Sequence, residues 1–177
     1  MTDPAPIRSE RLELPLFSRE QLRQLLDGDT AGVGKQLDAR IPQAWLRGHR
    51  WLIELRLRQL NEHPEDEAWL LRPIIAVDGG ERRVVGGINF HGAPDERGTP
   101  EVGYSLLPDE RGKGYAAEAV RAVFDWARRE HGVRRFRASV APDNERSLNL
   151  IGKLGFRKVG EQWDPDDGLE LVFELDA

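Results

Sequence analysis

Between Glu101 and Ala127 a run that alternates apolar and polar residues gives way, within a few positions, to an apolar stripe of helical period. In "EVGYSLL" (Glu101–Leu107), Val102, Tyr104 and Leu106 share one face and Glu101, Gly103 and Ser105 the other, the two-residue period of a strand. From Ala116 the apolar positions Ala116, Ala119, Val120, Val123, Phe124 and Ala127 recur at offsets 3, 4, 7, 8 and 11, the mark of a helix buried along one side, and Gly132 ends it. A strand that feeds a long amphipathic helix through "PDERGKG" has to pack that helix on a sheet, which limits the fold more than any other stretch.

The flanking segments extend the pattern. Residues 1–10 read as a polar N-terminal tail. "RLELPLF" (Arg11–Phe17) reads as a short strand that Pro15 places at an edge or a bend. In "SREQLRQLLDGD", Ser18 is an N-cap, Leu22, Leu25 and Leu26 form a stripe, and Gly28 stops the helix. Residues 28–67 carry Trp45, Trp51, Leu52, Leu55 and Leu60 on one or two helices that Pro64 ends. "RPIIAV" and "RVVGGINFH" flank the turn "DGGE" and predict an antiparallel hairpin, which "EVGYSLL" extends. After the long helix come a strand at "RRFRASV", a helix in "NERSLNLIGKLGF" closed by Gly155, and two strands around "DPDDG". The expected fold is α+β: one domain over 1–177, with a mixed, mostly antiparallel sheet of about seven strands flanked by about four helices.

Composition removes several classes of function. A chain of 177 residues that is 39% hydrophobic suits one domain with a real core. Its 26 basic and 31 acidic residues are interspersed and sum to −5, which disfavours a nucleic-acid or membrane surface and favours a small partner. No run approaches the roughly 20 apolar residues of a membrane span, and "MTDPAPIRSERLEL" has no apolar signal-peptide core, so a cytoplasmic protein is expected. The absence of cysteine excludes disulfides, thiolate metal sites and a cysteine-bound intermediate. His49, His63, His91 and His131 have no metal-ligand spacing, and no metal is expected.

The junction itself has anion chemistry. A helix N-terminus presents unpaired N–H groups and about half a positive charge. Gly112 and Gly114 leave those amides open, and Arg111 and Lys113 add formal charge, so "RGKGYA" reads either as a pyrophosphate cradle or as a plain helix-starting turn. It is not a Walker A loop, because Lys113 is followed by Gly114. It meets the dinucleotide pattern through Gly112, Gly114 and Ala117, but three strands precede it and "PDER" intervenes, unlike the parallel unit that binds NAD.

Arg111-Gly112-Lys113-Gly114-Tyr115-Ala116 resembles the Q/R-x-x-G-x-G/A signature of the GNAT superfamily of acyl-CoA-dependent N-acetyltransferases. "PDNERSLNLIGKLGF", with Asn144, Ser147, Gly155 and Phe156, resembles that family's second block, and the spelling resembles the branch of ribosomal-protein N-terminal acetyltransferases. The likeness is clearest from about Val84 onward. It implies a GNAT fold, acetyl-CoA as co-substrate, a primary amine as acceptor and direct attack in a ternary complex. It also implies a CoA site at Arg111, Gly112, Lys113, Gly114, Tyr115 and Ala116, with backbone contacts at Leu106 and Leu107.

Individual roles follow from the same resemblance. Glu101 is the candidate base, with a solvated strand-start charge as the alternative and Asp95 or Glu96 as substitutes. Asn144 is either a pantetheine contact, the favoured role, or a helix N-cap; Ser147 is a hydrogen-bond donor to the leaving sulfur or a small packing residue. Where many members carry a tyrosine as general acid this chain has Ile151, and Tyr104 and Tyr115 are not obvious replacements. Acceptor selection is expected from residues 28–67, which include Trp45, Arg47, His49, Arg50 and Trp51. Dimerisation is common in the family and open here. A CoA-binding sensor without transferase activity is the other class of function kept in view.

Overall fold

A computed structural model describes residues 5–176. Eight strands and five α-helices follow in the order β1 (Ile7–Arg8), β2 (Leu12–Leu14), α1 (Arg19–Leu26), α2 (Thr30–Leu37), α3 (Gln43–Glu62), β3 (Arg72–Ala76), β4 (Arg83–Phe90), β5 (Val102–Leu106), α4 (Tyr115–His131), β6 (Arg135–Val140), α5 (Glu145–Lys153), β7 (Arg157–Asp164) and β8 (Gly168–Asp176). The strands form two sheets, β1-β2-β3-β4-β5 and β6-β8-β7, with antiparallel pairing throughout each. The mixed α+β architecture is the expected one, with its strands divided five and three rather than joined in a single ladder of seven.

Helix boundaries follow local chemistry. Ser18 caps α1 and forms a reciprocal capping box with Gln21. Gly132 ends α4 in the left-handed conformation at φ 66°. The N-terminal reading needs one correction. Residues 1–4 of the expected tail lie outside the described residues, but Ile7 and Arg8 form β1, and Ile7 is buried. β1 pairs with β2, so β2 is not an edge, and Pro15 marks the bend after it instead.

The five-stranded sheet is covered on both faces. Strand alternation sends Ile74 and Ala76 into a core shared with α4, β6 and α5, while Ile75 enters a second core under α1, α2 and α3. In the first core the Phe124 ring of α4 stacks on Phe136 of β6 at 3.8 Å, which fastens the long helix to the second sheet. Trp45, fully buried in the second core, donates its indole N–H to the Gly86 carbonyl at 2.8 Å and seats α3 across β4.

The two sheets meet at the β5 and β6 strands. Among the described residues they share one parallel bridge, Glu101 with Arg137, where the Arg137 N–H donates to the Pro100 carbonyl at 3.0 Å. Beyond that bridge the ladder stops, and the edge of β6 away from β8 has no further pairing with β5. A cleft opens between the diverging strands.

Candidate active site

Register decides what β5 offers to the cleft. The His91 N–H donates to the Glu101 carbonyl and the Leu107 N–H to the Val85 carbonyl, each at 2.8 Å, so the odd-numbered residues of this segment are bonded to β4. Tyr104 and Leu106 therefore direct their N–H and C=O groups the other way, into the gap. The Leu106 carbonyl is reached by Arg111 Nε at 3.3 Å. The expectation of a free amide at Leu107 is thus corrected by register: that amide is already committed, and Leu106 holds the available one.

The gap is a cavity of about 600 Å³. Tyr104, Ser105 and Leu106 form the β5 wall, and Arg111, Gly112, Gly114, Ala116 and Ala117 form the loop and the start of α4. Asn144, Arg146, Ser147 and Leu150 close it from α5. Both sequence blocks, 33 positions apart at Arg111 and Asn144, face one space.

The loop end has the build of an anion site. α4 starts at Gly114, φ 86°, with no side-chain cap, so its first N–H groups keep their positive end open. A Cβ placed on Gly112, φ 76°, would meet nothing within 4 Å. These observations fit the pyrophosphate of a CoA. Lys113 and Tyr115 do not line the cavity. The Lys113 ammonium pairs with Glu110 at 2.8 Å, and the buried Tyr115 donates its hydroxyl to Asp78 at 2.8 Å. Arg83 completes this support through Glu110 at 2.9 Å. The two residues hold the loop on the β3–β4 hairpin.

On α5 the Asn144 Oδ1 accepts from the Ser147 N–H at 3.2 Å. It is the N-cap and a cavity residue together, with its Nδ2 left to donate. Ser147 faces the cavity beside Tyr104, whose buried hydroxyl has no well-formed hydrogen bond. Burial pushes the Tyr104 phenol above its ordinary value of 10.0, and the neighbouring Ser147 partly offsets this. Sequence alternation put Tyr104 on an apolar face; in a splayed sheet that face is a cavity wall. Ile151 is buried in the core and holds no proton donor toward the site.

Glu101 is outside the cavity lining, four residues before Ser105 on the same face of the strand. Its carboxylate is 3.7 Å from His91 Nδ1. Asp95 instead organises its own loop, accepting from the Arg97 and Thr99 N–H groups at 2.9 Å.

Of the expected acceptor-side residues, Trp45 is core, Arg47 is exposed and Trp51 is 62% exposed. Arg50 donates to the Leu26 carbonyl at 2.8 Å. His49 is buried, with Nε2 2.8 Å from Ser105 Oγ, a contact between residues 56 positions apart that no local pattern signals. Among the described residues no group of His, Asp and Glu has the arrangement of a metal site, and no helix is long and apolar enough to cross a membrane.

A phosphate-ready helix start set against a sheet that splits at one bridge defines a recognisable class. The acetyltransferase (GNAT) domain matches residues 11–157, and the chain belongs to that family. It is 37% identical over 90 residues to the uncharacterised N-acetyltransferase YjdG of Bacillus subtilis (strain 168), covering 51% of each chain. It is 32% identical over 111 residues to the [ribosomal protein uS5]-alanine N-acetyltransferase of Escherichia coli (strain K12), covering 60% of this chain and 55% of that one. The match thus spans about half the length of these relatives. The microcin C7 self-immunity acetyltransferase MccE, solved with acetyl-CoA and AMP, shares the fold with a TM-score of 0.63 at 14% identity, over 96% of this chain and 94% of that one.

Proposed function

We propose that this protein is an acetyl-CoA-dependent N-acetyltransferase that moves an acetyl group to a primary amine, either a protein N-terminus or a small molecule, by direct attack in a ternary complex. The observation that carries this reading is the unpaired Leu106 amide at a cavity whose other end is the uncapped start of α4.

Acetyl transfer to an amine needs a stabilised oxyanion, a neutral nucleophile and a tolerable leaving group. The Leu106 N–H meets the first need, because it sits on a rigid strand and has no partner on β4. Gly112, Gly114 and Ala116 receive the pyrophosphate on backbone amides, with Arg111 as counter-charge, and Asn144 Nδ2 donates to the pantetheine arm. Ser147, with the Tyr104 hydroxyl beside it, faces the departing sulfur. A thiol with a reference pKa of about 8.5 also leaves readily as thiolate. Glu101, beside His91, draws the proton away at the acceptor end through water. Membership in the family, a ribosomal-protein alanine acetyltransferase among the relatives and the absence of cysteine all favour this chemistry over a covalent enzyme intermediate.

The protein is proposed to act in the cytoplasm, without a metal, nucleic acid or membrane partner, alone or as a homodimer. Calorimetric titration with acetyl-CoA, CoA and NAD tests the site: saturable binding of the first two and none of NAD is expected. An amine panel then tests transfer, with Glu101→Gln expected to lower turnover and leave acetyl-CoA affinity intact. Absence of acetyl-CoA binding would sink the proposal. The second reading, a CoA-binding sensor, is favoured by the buried Ile151 in place of a hydroxyl donor, and is supported if acetyl-CoA binds but no amine is acetylated.

A further inference from the structure

We propose that Ser105 and His49 form a proton relay that takes the proton from the attacking amine, an inference that rests on the acetyltransferase reading above. Ser105 lies between Tyr104 and Leu106 on β5 and is among the residues that line the cavity, next in the chain to the residue whose amide is assigned to the oxyanion. Its Oγ is 2.8 Å from His49 Nε2.

The direction of this hydrogen bond is set by the other ring nitrogen. His49 Nδ1 is 2.8 Å from the Trp45 carbonyl, which can only accept, so Nδ1 carries the proton. Nε2 is left with a lone pair, and the Ser105 hydroxyl donates to it. Base, orienting acceptor and exposed hydroxyl thus stand in the order of a base-activated serine. Trp45 stacks on the imidazole at 4.4 Å and 15°, which fixes the ring plane. Gly87 of β4 makes the room: a Cβ there would lie 3.0 Å from Nε2.

His49 is 7% exposed, and burial holds its imidazole below the ordinary 6.5 against the opposing effect of the Trp45 carbonyl. It is neutral at pH 7 and ready to accept. Charged groups on the packed elements stand off. Glu101 on β5 and Arg83 on β4 are each about 13 Å along their strands. Arg56 is about 10 Å along α3, and Arg50 turns out to the Leu26 carbonyl.

The step balances without a further reagent. As the amine nitrogen bonds to the acetyl carbon, its proton passes to Ser105 Oγ and the Ser105 proton to His49 Nε2. The electron pair gathered on the carbonyl oxygen at the Leu106 N–H returns, the carbon–sulfur bond breaks, and the thiolate leaves. His49 then returns its proton through Ser105 to solvent, from which the thiolate is protonated. On this reading Glu101, four residues before Ser105 on the same face of β5, takes up through water the proton that the relay releases and does not itself meet the reacting nitrogen.

The test uses the full chain, acetyl-CoA and two acceptors: water, read as thioester hydrolysis, and a short peptide with a free α-amine. Ser105→Ala is expected to lower kcat at least tenfold with both, leave the Kd for acetyl-CoA unchanged, and remove the acid limb of the kcat/KM profile. Ser105→Thr, which keeps the hydroxyl, should restore most of kcat. Nitrogen NMR of His49 should show the Nδ1–H tautomer. A Ser105→Ala protein with wild-type kcat and pH profile would overturn the relay and leave the transferase reading standing. A wild-type protein that binds acetyl-CoA but neither hydrolyses it nor acetylates any amine of the panel would overturn both.

Discussion

Arg11, in the turn between β1 and β2, holds Glu118 in the first turn of α4: its Nε and a terminal nitrogen lie 2.8 and 2.7 Å from one carboxylate oxygen, and its backbone N–H is 2.8 Å from the other. The same guanidinium reaches the Lys113 carbonyl at 3.0 Å and lies over the Tyr115 ring at 4.9 Å. The beginning of the chain thus braces the donor loop from outside the cavity. Arg11→Ala is expected to weaken acetyl-CoA binding several-fold while lowering stability only slightly, since the pair is partly exposed and screened by solvent. Calorimetry beside urea unfolding separates the two effects; unchanged affinity would show the brace to be dispensable.

Acid should loosen the loop through its carboxylates. The Arg83 hydrogen bond, aided by Lys113, holds Glu110 below its ordinary 4.5 against the effect of burial. At Glu118, burial pushes upward, but Ser9 and Arg11 outweigh it and the net shift is again downward. A depressed folded-state pKa stabilises above the unfolded value and loses that contribution as pH falls through the folded one. Stability from these groups is therefore flat down to about pH 4.5 and falls below it. Glu110→Gln should show a shallower acid decline in thermal melts recorded from pH 7 to 3.

Gly112→Asp places a carboxylate on a residue whose side-chain position is open to the cavity, at a φ of 76°. Loss of measurable acetyl-CoA binding is expected, with the circular dichroism spectrum retained and a strain cost of about 1–2 kcal/mol. Gly112→Asn, which tolerates that backbone and adds no charge, should bind more weakly than wild type yet measurably. Equal affinity for all three proteins would remove the anion site from this loop.

Tyr104→Phe deletes a buried hydroxyl that has no well-formed partner. Stability should hold or rise by up to about 1 kcal/mol, because an uncompensated polar group leaves the interior. Turnover is expected to fall if that hydroxyl acts with Ser147 at the sulfur, a split that urea unfolding and single-turnover kinetics would show together.

Core and surface aromatics should behave in opposite ways. Phe136, fully buried against Phe124, should cost about 3–5 kcal/mol on truncation to alanine. Trp163 on β7 is 75% exposed, and Trp163→Ser should change stability by no more than about 0.5 kcal/mol. Chemical denaturation of both variants checks the contrast.

Much of this layout is legible in the sequence, for local reasons. Ser18, Gly28, Gly132 and Gly155 punctuate helices through capping chemistry that involves neighbours in the chain. The α4 stripe and the β3–β4 hairpin likewise depend on nearby residues. β1 is not legible in the sequence because two residues carry no period, and only pairing with β2 makes them a strand. The choice between Leu106 and Leu107 turns on ladder parity, which is a property of two strands. The His49–Ser105 contact depends on α3 crossing β4 at two glycines, Gly86 and Gly87, and Arg11 reaches Glu118 across 107 positions.

The single bridge at Glu101 and Arg137 also bears on how the molecule responds to its donor. Beyond it, β5 presents a row of backbone groups with no strand to pair, an interior counterpart of an exposed sheet edge. Pantetheine carries two amides in an extended chain, so on the proposed reading it serves as a surrogate strand. The donor would act as a rivet between two half-sheets otherwise joined by that one bridge and by side-chain packing, and the protein would be most rigid when loaded and ready to meet its amine.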